Sequence, residues 1–220
     1  MGKIIEFTGE KENQTYWNQF YKTVKIDGES TFCSFVKTYI NNEYIVVDIG
    51  CGSGRDTKAF AMNGIEVFGI DQSEEAIETN TLLSESEELI NFIKVDVSNF
   101  AELNSFFEGI KEKRSNKKLL IYSRFFVHSI EESTQKNLMK VLESSLLGGD
   151  YVALEFRTKE DEELHKIFDN HYRRYIDSEK FVEEITNEYT FMEIYYYKGR
   201  GLSVFKDEDP YLARIIFEKK

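Results

Sequence analysis

The sequence predicts an α/β fold built on one doubly wound, mostly parallel sheet, and three observations carry that expectation. Short β-branched runs alternate with helical segments from residue 43 to residue 157, at the spacing of repeated βαβ units. Those runs are apolar almost throughout, as in strands covered on both faces. No proline occurs before Pro210, so each central strand keeps its ladder N–H groups.

Residues 12–22, ENQTYWNQFYK, set Tyr16, Trp17, Phe20 and Tyr21 at helical spacing. They predict a short amphipathic helix that packs on the domain or closes over a ligand. KIDGES is a loop turning at Gly28, and STFCSFVKTYIN (30–41) is a helix capped by Ser30. EYIVVDI is the first strand, followed by a helix, TKAFAMNG, closed by Gly64. IEVFGID is the second strand, and SEEAIETNTLLSE a helix with Ser73 as N-cap. LINFIKVDV is the third strand and NFAELNSFFEGI a helix. KKLLIYS is the fourth strand, EESTQKNLMKVLESSLLGG a helix ending in two glycines, and DYVALEFR the fifth strand.

From about residue 158 the rhythm changes. KEDEELHKIFDNHYRRYI is charged and aromatic, and SEKFVEEITNE is a helix capped by Ser178. YTFMEIYYYKGRG and DPYLARIIFEKK are two late strands, which suit an antiparallel hairpin at one sheet edge. The expected architecture is therefore a Rossmann-like doubly wound sheet, mostly parallel with an antiparallel C-terminal hairpin strand.

The bulk numbers narrow the partners. At 220 residues the chain suffices for one sizeable α/β domain. Its 41% hydrophobic and 31% charged residues fit a globular protein. The net charge of −12 sets a repulsive field against nucleic acid and suits a cationic ligand. Cys33 and Cys51 make no disulfide framework and read as reduced thiols of a cytoplasmic protein. MGKIIEFTGEKENQ holds no long apolar run, so neither a signal peptide nor a membrane span is expected.

VVDIGCGSGRDT, residues 46–57, is the chemistry-bearing stretch. A strand, a glycine-rich turn and a helix start form a ligand corner, where exposed backbone N–H groups admit close approach. The glycines are Gly50, Gly52 and Gly54, and Arg55 stands where the dinucleotide fingerprint G-x-G-x-x-G needs its third. The phosphate loop G-x-x-x-x-G-K-[ST] has no match here either.

On VVDIGCGSG, GID ending at Asp71 and KVD ending at Asp96, each at a strand end, the chain resembles the class I S-adenosylmethionine-dependent methyltransferases. The resemblance covers about residues 40–157. It implies S-adenosylmethionine as cofactor, S-adenosylhomocysteine as product and no metal. It also implies a cofactor set of Asp48, Gly50, Cys51, Gly52, Gly54, Asp71, Gln72, Asp96 and Val97. Asp71 would accept the ribose hydroxyls, Asp96 and Val97 would meet the adenine, and Asp48 would face the ammonium. Cys51 packs in the turn; thiol chemistry has no part in direct methyl transfer.

In this family acceptor-facing residues follow the fourth strand, here IYSRFFVHSI, which lacks the N-P-P-Y type signature of amide and base methylation. Arg124 is the candidate anion clamp and His128 the candidate general base, being neutral near its ordinary pKa of about 6.5. Arg157, Arg173 and Tyr175 complete the expected acceptor set, within a local basic cluster that also holds His171 and Arg174. His165 and His171 lie six apart, which is poor spacing for a shared metal, and no zinc site is expected. The segments around EFRT, HYRRYI and GRGLSVFKDEDP, with YWNQFY and STFCSF, are similar to bacterial methyltransferases of surface-polysaccharide and small-metabolite clusters.

The resulting expectation is one methyltransferase domain over 1–220, with a helical lid region over 1–42 and an acceptor-side insertion over 158–188. It would methylate a small, anionic, phosphorylated or glycan-linked acceptor, on oxygen in preference to nitrogen. Two alternatives stand beside it. A non-catalytic cofactor-binding partner subunit would bind without turnover. An RNA methyltransferase would form a salt-sensitive complex around Arg157–Arg174.

Overall fold

The computed structural model describes Tyr16, residues 28–167 and residues 171–220. The expected helix at 12–22 lies outside the described residues except for Tyr16, which is helical.

Seven strands form one sheet: β1 Tyr44–Ile49, β2 Glu66–Asp71, β3 Ile90–Lys94, β4 Lys118–Arg124, β5 Tyr151–Arg157, β6 Phe191–Gly199 and β7 Leu212–Lys219. Their order is β3-β2-β1-β4-β5-β7-β6. β1 to β5 pair in parallel, whereas β7 runs antiparallel to both β5 and β6. The expected late hairpin is present, with its second strand inserted inside its first. β7 takes the inner position because LARIIFEK is buried almost end to end. β6 is exposed or part-buried between its two buried end residues and carries an irregularity between Glu193 and Tyr195, the features of a protected edge.

Six helices are described: α1 Thr31–Val36, α2 Arg55–Met62, α3 Glu74–Leu83, α4 Phe100–Lys113, α5 Glu132–Ser145 and α6 Ser178–Glu188. Strand side chains alternate between the faces. Ile45, Val47 and Ile49 of β1 join one core with Phe107 of α4, Leu138 of α5 and Phe181 of α6. Tyr44 and Val46 join the other with Phe32 of α1 and Phe60 of α2. This parity places Asp48 on the α1/α2 face.

Caps follow the expectations at Ser30 and Ser73, whose hydroxyls accept from the amides of Cys33 and Ala76. α6 differs: Asp177 is its N-cap, accepting from Lys180 N, and Ser178 is the first helical residue. α1 is also shorter than the 30–41 expected. It stops at Val36, and the Thr38 hydroxyl takes up the Phe35 carbonyl instead of extending the helix.

A buried acid ties the far end of the sheet. Asp150, fully buried, accepts both guanidinium nitrogens of Arg114 at 2.8 Å and the amides of Leu119 and Leu147 at 2.8 Å. Asp150→Ala would leave Arg114 and two amides unpaired in the interior. We expect about 3–5 kcal/mol of lost stability, read as a fall in the chemical-denaturation midpoint.

Candidate active site

The C-terminal ends of β1, β2, β4 and β5 open into a cavity of about 450 Å3. This is the end at which open parallel sheets bind ligands. The β6–β7 connection hangs over it, because β6 runs parallel to β5 and ends at the same edge; Ser203, Phe205 and Glu208 line the cavity from there.

The glycine turn builds one end. Gly50 and Gly54 hold φ of +73° and +70°. A side chain would be strained there and would also collide with the protein itself. A Cβ on Gly50 would lie 2.5 Å from the Phe126 ring, and one on Gly54 2.7 Å from the Phe92 ring. These two glycines thus serve internal packing as well as any ligand. Gly52 N donates to Asp71 Oδ2 at 3.0 Å, and Gly52 O accepts from Asn80 Nδ2 at 2.7 Å, so the turn's backbone is held from both sides.

Asp71 at the end of β2 is buried and also accepts from Ser73 N at 2.9 Å; burial raises its carboxyl while the backbone donors oppose that shift. Gln72 lines the cavity beside it. Cys51 is buried and its thiol is pushed well above the ordinary range by desolvation, a packing residue rather than a thiolate. Asp96 and Val97 do not line the cavity. Asp96 instead accepts from the amide and hydroxyl of Ser98.

Asp48 lines the cavity and accepts from the Thr57 hydroxyl at 2.6 Å. Burial pushes its carboxyl up to about 8, partly opposed by that hydroxyl. A carboxyl raised above its unfolded value stabilises the fold while protonated. That contribution is complete below about pH 4 and is lost as pH rises toward about 8. Asp48→Asn removes this dependence. Melting of the ligand-free variant is therefore expected to decline less than the parent between pH 5 and 8, and parallel declines would contradict the assignment.

Sequence reasoning missed a hydrogen-bonded cluster next to Asp48. Asp56, in the first turn of α2, accepts from Ser30 N, Ser30 Oγ and the Tyr122 hydroxyl, all at 2.7 Å. All three residues line the cavity, as does Arg55, whose guanidinium is 3.8 Å from Asp56. The signal was GRDT after the glycines; its partners are 26 and 66 residues away in sequence.

The other end of the cavity is set by strand register. Arg124 of β4, Glu155 of β5 and Arg214 of β7 lie directly opposite one another across three strands. Arg124 Nε donates to Glu155 at 2.8 Å and Arg214 Nε to its other oxygen at 2.6 Å, with the Glu155 side chain fully buried. Arg124 also donates to Ser203 Oγ at 2.6 Å, which fastens the β6–β7 connection. Arg157 is engaged by Asp161 at 2.6 Å and by Glu208. Arg174 is tied to the carbonyls of Val127 and Ile130 and to Gln135. Tyr175 lies off the cavity, under the Lys166 ammonium at 5.0 Å from its ring centroid.

Phe125, with φ of +55°, is a non-glycine residue in the left-handed region, a cost accepted mainly where surroundings enforce it. Its amide donates to Glu155 O at 2.8 Å, and its ring lies 4.2 Å from the Arg124 guanidinium and 5.6 Å from that of Arg157. This kink turns the chain so that His128, on the following short 3-10 turn, lines the cavity.

His128 is buried, and its Nδ1 faces the Arg157 amide at 3.4 Å. Burial and then the nearby Arg157, Arg173 and Arg174, with His171, hold its pKa well below the ordinary value. His171 lies 3.1 Å from an Arg173 nitrogen and stacks on Tyr16 at 4.9 Å, its pKa drawn down to about 3 by burial and by Arg173 and Arg157. Both imidazoles are thus neutral, and one nitrogen of each already faces a protein donor. His165 is outside the cavity, beside Asp207. Among the described residues no group of His, Cys, Asp or Glu could hold a metal ion, and no helix is long and apolar enough to cross a membrane.

Residues 40–115, which span β1 to α4 and the glycine turn, match the family model of a methyltransferase domain. No match was found among curated proteins. Among solved structures, the chain is similar to an S-adenosylmethionine-dependent methyltransferase of Anabaena variabilis (TM-score 0.71, 16% identity, 94% of this chain and 93% of that one). It is also similar to the glycopeptide N-methyltransferase MtfA in complex with S-adenosylmethionine (TM-score 0.64, 14% identity, 88% and 95%). A third similar structure is TehB from Haemophilus influenzae (TM-score 0.60, 17% identity, 94% and 67%). Residues 40–115 thus match a methyltransferase domain model, and the chain shares the Rossmann-like fold of these solved structures.

Proposed function

We propose that the chain transfers the methyl group of S-adenosylmethionine to a small anionic acceptor. The observation that carries this reading is one continuous cavity whose two ends differ in chemistry. Asp48, Asp71 and the glycine turn line one end, and Arg124, His128 and Arg173 line the other.

The donor set of the first end fits the cofactor. Asp71 is the acceptor for ribose hydroxyls, with Gln72 beside it. Asp48 suits an ammonium, which would hold it ionised despite its burial, and Arg55 suits a carboxylate. No group at this end calls for a pyrophosphate. Asp96 and Val97 have no cavity contact to support an adenine role. Bound there, S-adenosylmethionine supplies an already activated methyl group, so the protein's tasks are alignment and exclusion of water.

At the second end Arg124 and Arg173 supply planar donors for an anion. Arg157 acts through Asp161 and Glu208 to hold the β6–β7 connection over the cavity. Tyr16, Arg157's partner Asp161, His171 and Arg173 stand on the acceptor side. The fold leaves the methylated element open, since MtfA, with the same fold, is an N-methyltransferase. Oxygen is favoured by the donor-rich lining.

The test is release of S-adenosylhomocysteine on incubation with S-adenosylmethionine and panels of small acids, phosphorylated metabolites and glycans. Turnover dependent on an anionic acceptor supports the proposal. Binding of the cofactor with no turnover on any acceptor points to a partner subunit instead.

A further inference from the structure

We infer that the acceptor enters this site already ionised, as a carboxylate, and that His128 binds it as a hydrogen-bond donor through Nε2 rather than taking a proton from it. The inference rests on the methyl-transfer reading above and names its substrate class.

The geometry around His128 carries the argument. With Nδ1 accepting from the Arg157 amide, the neutral ring holds its proton on Nε2. Among the described residues the ring makes no other hydrogen bond, and it lines the cavity. The nitrogen left for a ligand is therefore a donor. Protonation of the ring is opposed by burial first, then by Arg157 on β5 and by Arg173, His171 and Arg174 on the segment packed across it.

No other described side chain at this end is suited to take the proton. Glu155 is buried between Arg124 and Arg214. Glu208 receives Arg157 and the Ile167 amide, and Asp161 receives Arg157 and the Tyr211 amide. His171 faces Arg173. An alcohol, or an amine that enters as its ammonium, must shed a proton in the course of the reaction, and among the described residues no side chain at this end is placed to receive it. A carboxylate, ionised above about pH 4, needs no base. One of its oxygens gives an electron pair to the methyl carbon, the S–CH3 bond breaks with its pair returning to sulfur, and a neutral ester and a neutral thioether result. No proton moves.

The test is the alkali stability of the methyl product formed from radiolabelled cofactor. A carboxylate acceptor gives a methyl ester, and mild alkali releases volatile methanol. Methyl on an ether, amine or phosphate that survives alkali overturns the inference while leaving the methyl-transfer reading intact. Absence of turnover with every acceptor defeats that reading and this inference together.

Two further readouts bear on His128. At saturating cofactor, kcat is expected to be flat from about pH 6 to 8.5; a tenfold fall per pH unit below 7 would restore the base role. In proton NMR of the ligand-free protein, the His128 ring resonances, assigned by their loss in His128→Gln, are expected not to titrate between pH 5 and 8. Titration near 6.5 would overturn the assignment. If the variant folds, His128→Gln, which keeps an N–H donor, is expected to raise KM for the acid with kcat within tenfold. A base would cost about 100- to 10,000-fold in kcat.

Discussion

Asp71→Ala is expected to weaken S-adenosylmethionine binding by about 100-fold, which is about 2.7 kcal/mol. Two losses combine. The carboxylate that would accept the ribose hydroxyls is removed, and charge-assisted bonds of this kind contribute about 1.5–3 kcal/mol. The same carboxylate holds Gly52 N at 3.0 Å and Ser73 N at 2.9 Å, so the glycine turn also loses an anchor. Asp71→Asn keeps the shape and one acceptor oxygen and should weaken binding less. Isothermal titration of the three proteins checks the order. An alanine variant that binds like the parent would remove Asp71 from the cofactor site.

Glu155→Ala should be the most damaging single change near the cavity. Glu155 is fully buried and is the shared partner of Arg124 and Arg214, whose side chains are 15% and 9% exposed. Breaking a buried pair from one side leaves uncompensated charge and costs about 3–5 kcal/mol. For a chain of this size that corresponds to a fall in Tm of about 10 °C. The loss should not be confined to stability. Arg124, released from Glu155, would no longer be fixed beneath Ser203, and the β6–β7 connection would loosen over the cavity. Replacing Arg124, Glu155 and Arg214 together by apolar residues should recover much of the Tm without recovering acceptor affinity. Full loss of Tm in the triple variant would show that packing, not unpaired charge, is the cause.

The sequence made the local features readable and left the long-range ones hidden. EYIVVDI and KKLLIYS are strands because β-branched and apolar residues run unbroken, and both form as expected at Tyr44–Ile49 and Lys118–Arg124. The glycine turn was legible because spacing alone separates it from nucleotide loops. The Arg124–Glu155–Arg214 row was not, because it exists only through register across three strands, one of them antiparallel. Likewise, the position of β7 depends on which of two strands has both faces covered. The contrast between RIIF and MEIYYYK carries that signal. The residue type of His128 suggested a base. Its role turns on one backbone amide, Arg157 N, that no motif announces. Asp96 stands at a strand end and accepts from Ser98 in a local turn, a contact that its place in the sequence does not announce.

The most direct test of the central claim is a calorimetric titration of the purified chain with S-adenosylhomocysteine and, separately, with NADH. The account predicts one saturable site for the thioether nucleoside, lost or much weakened in Asp71→Ala, and no heat of binding with NADH. Saturable binding of NADH together with no binding of S-adenosylhomocysteine would contradict it.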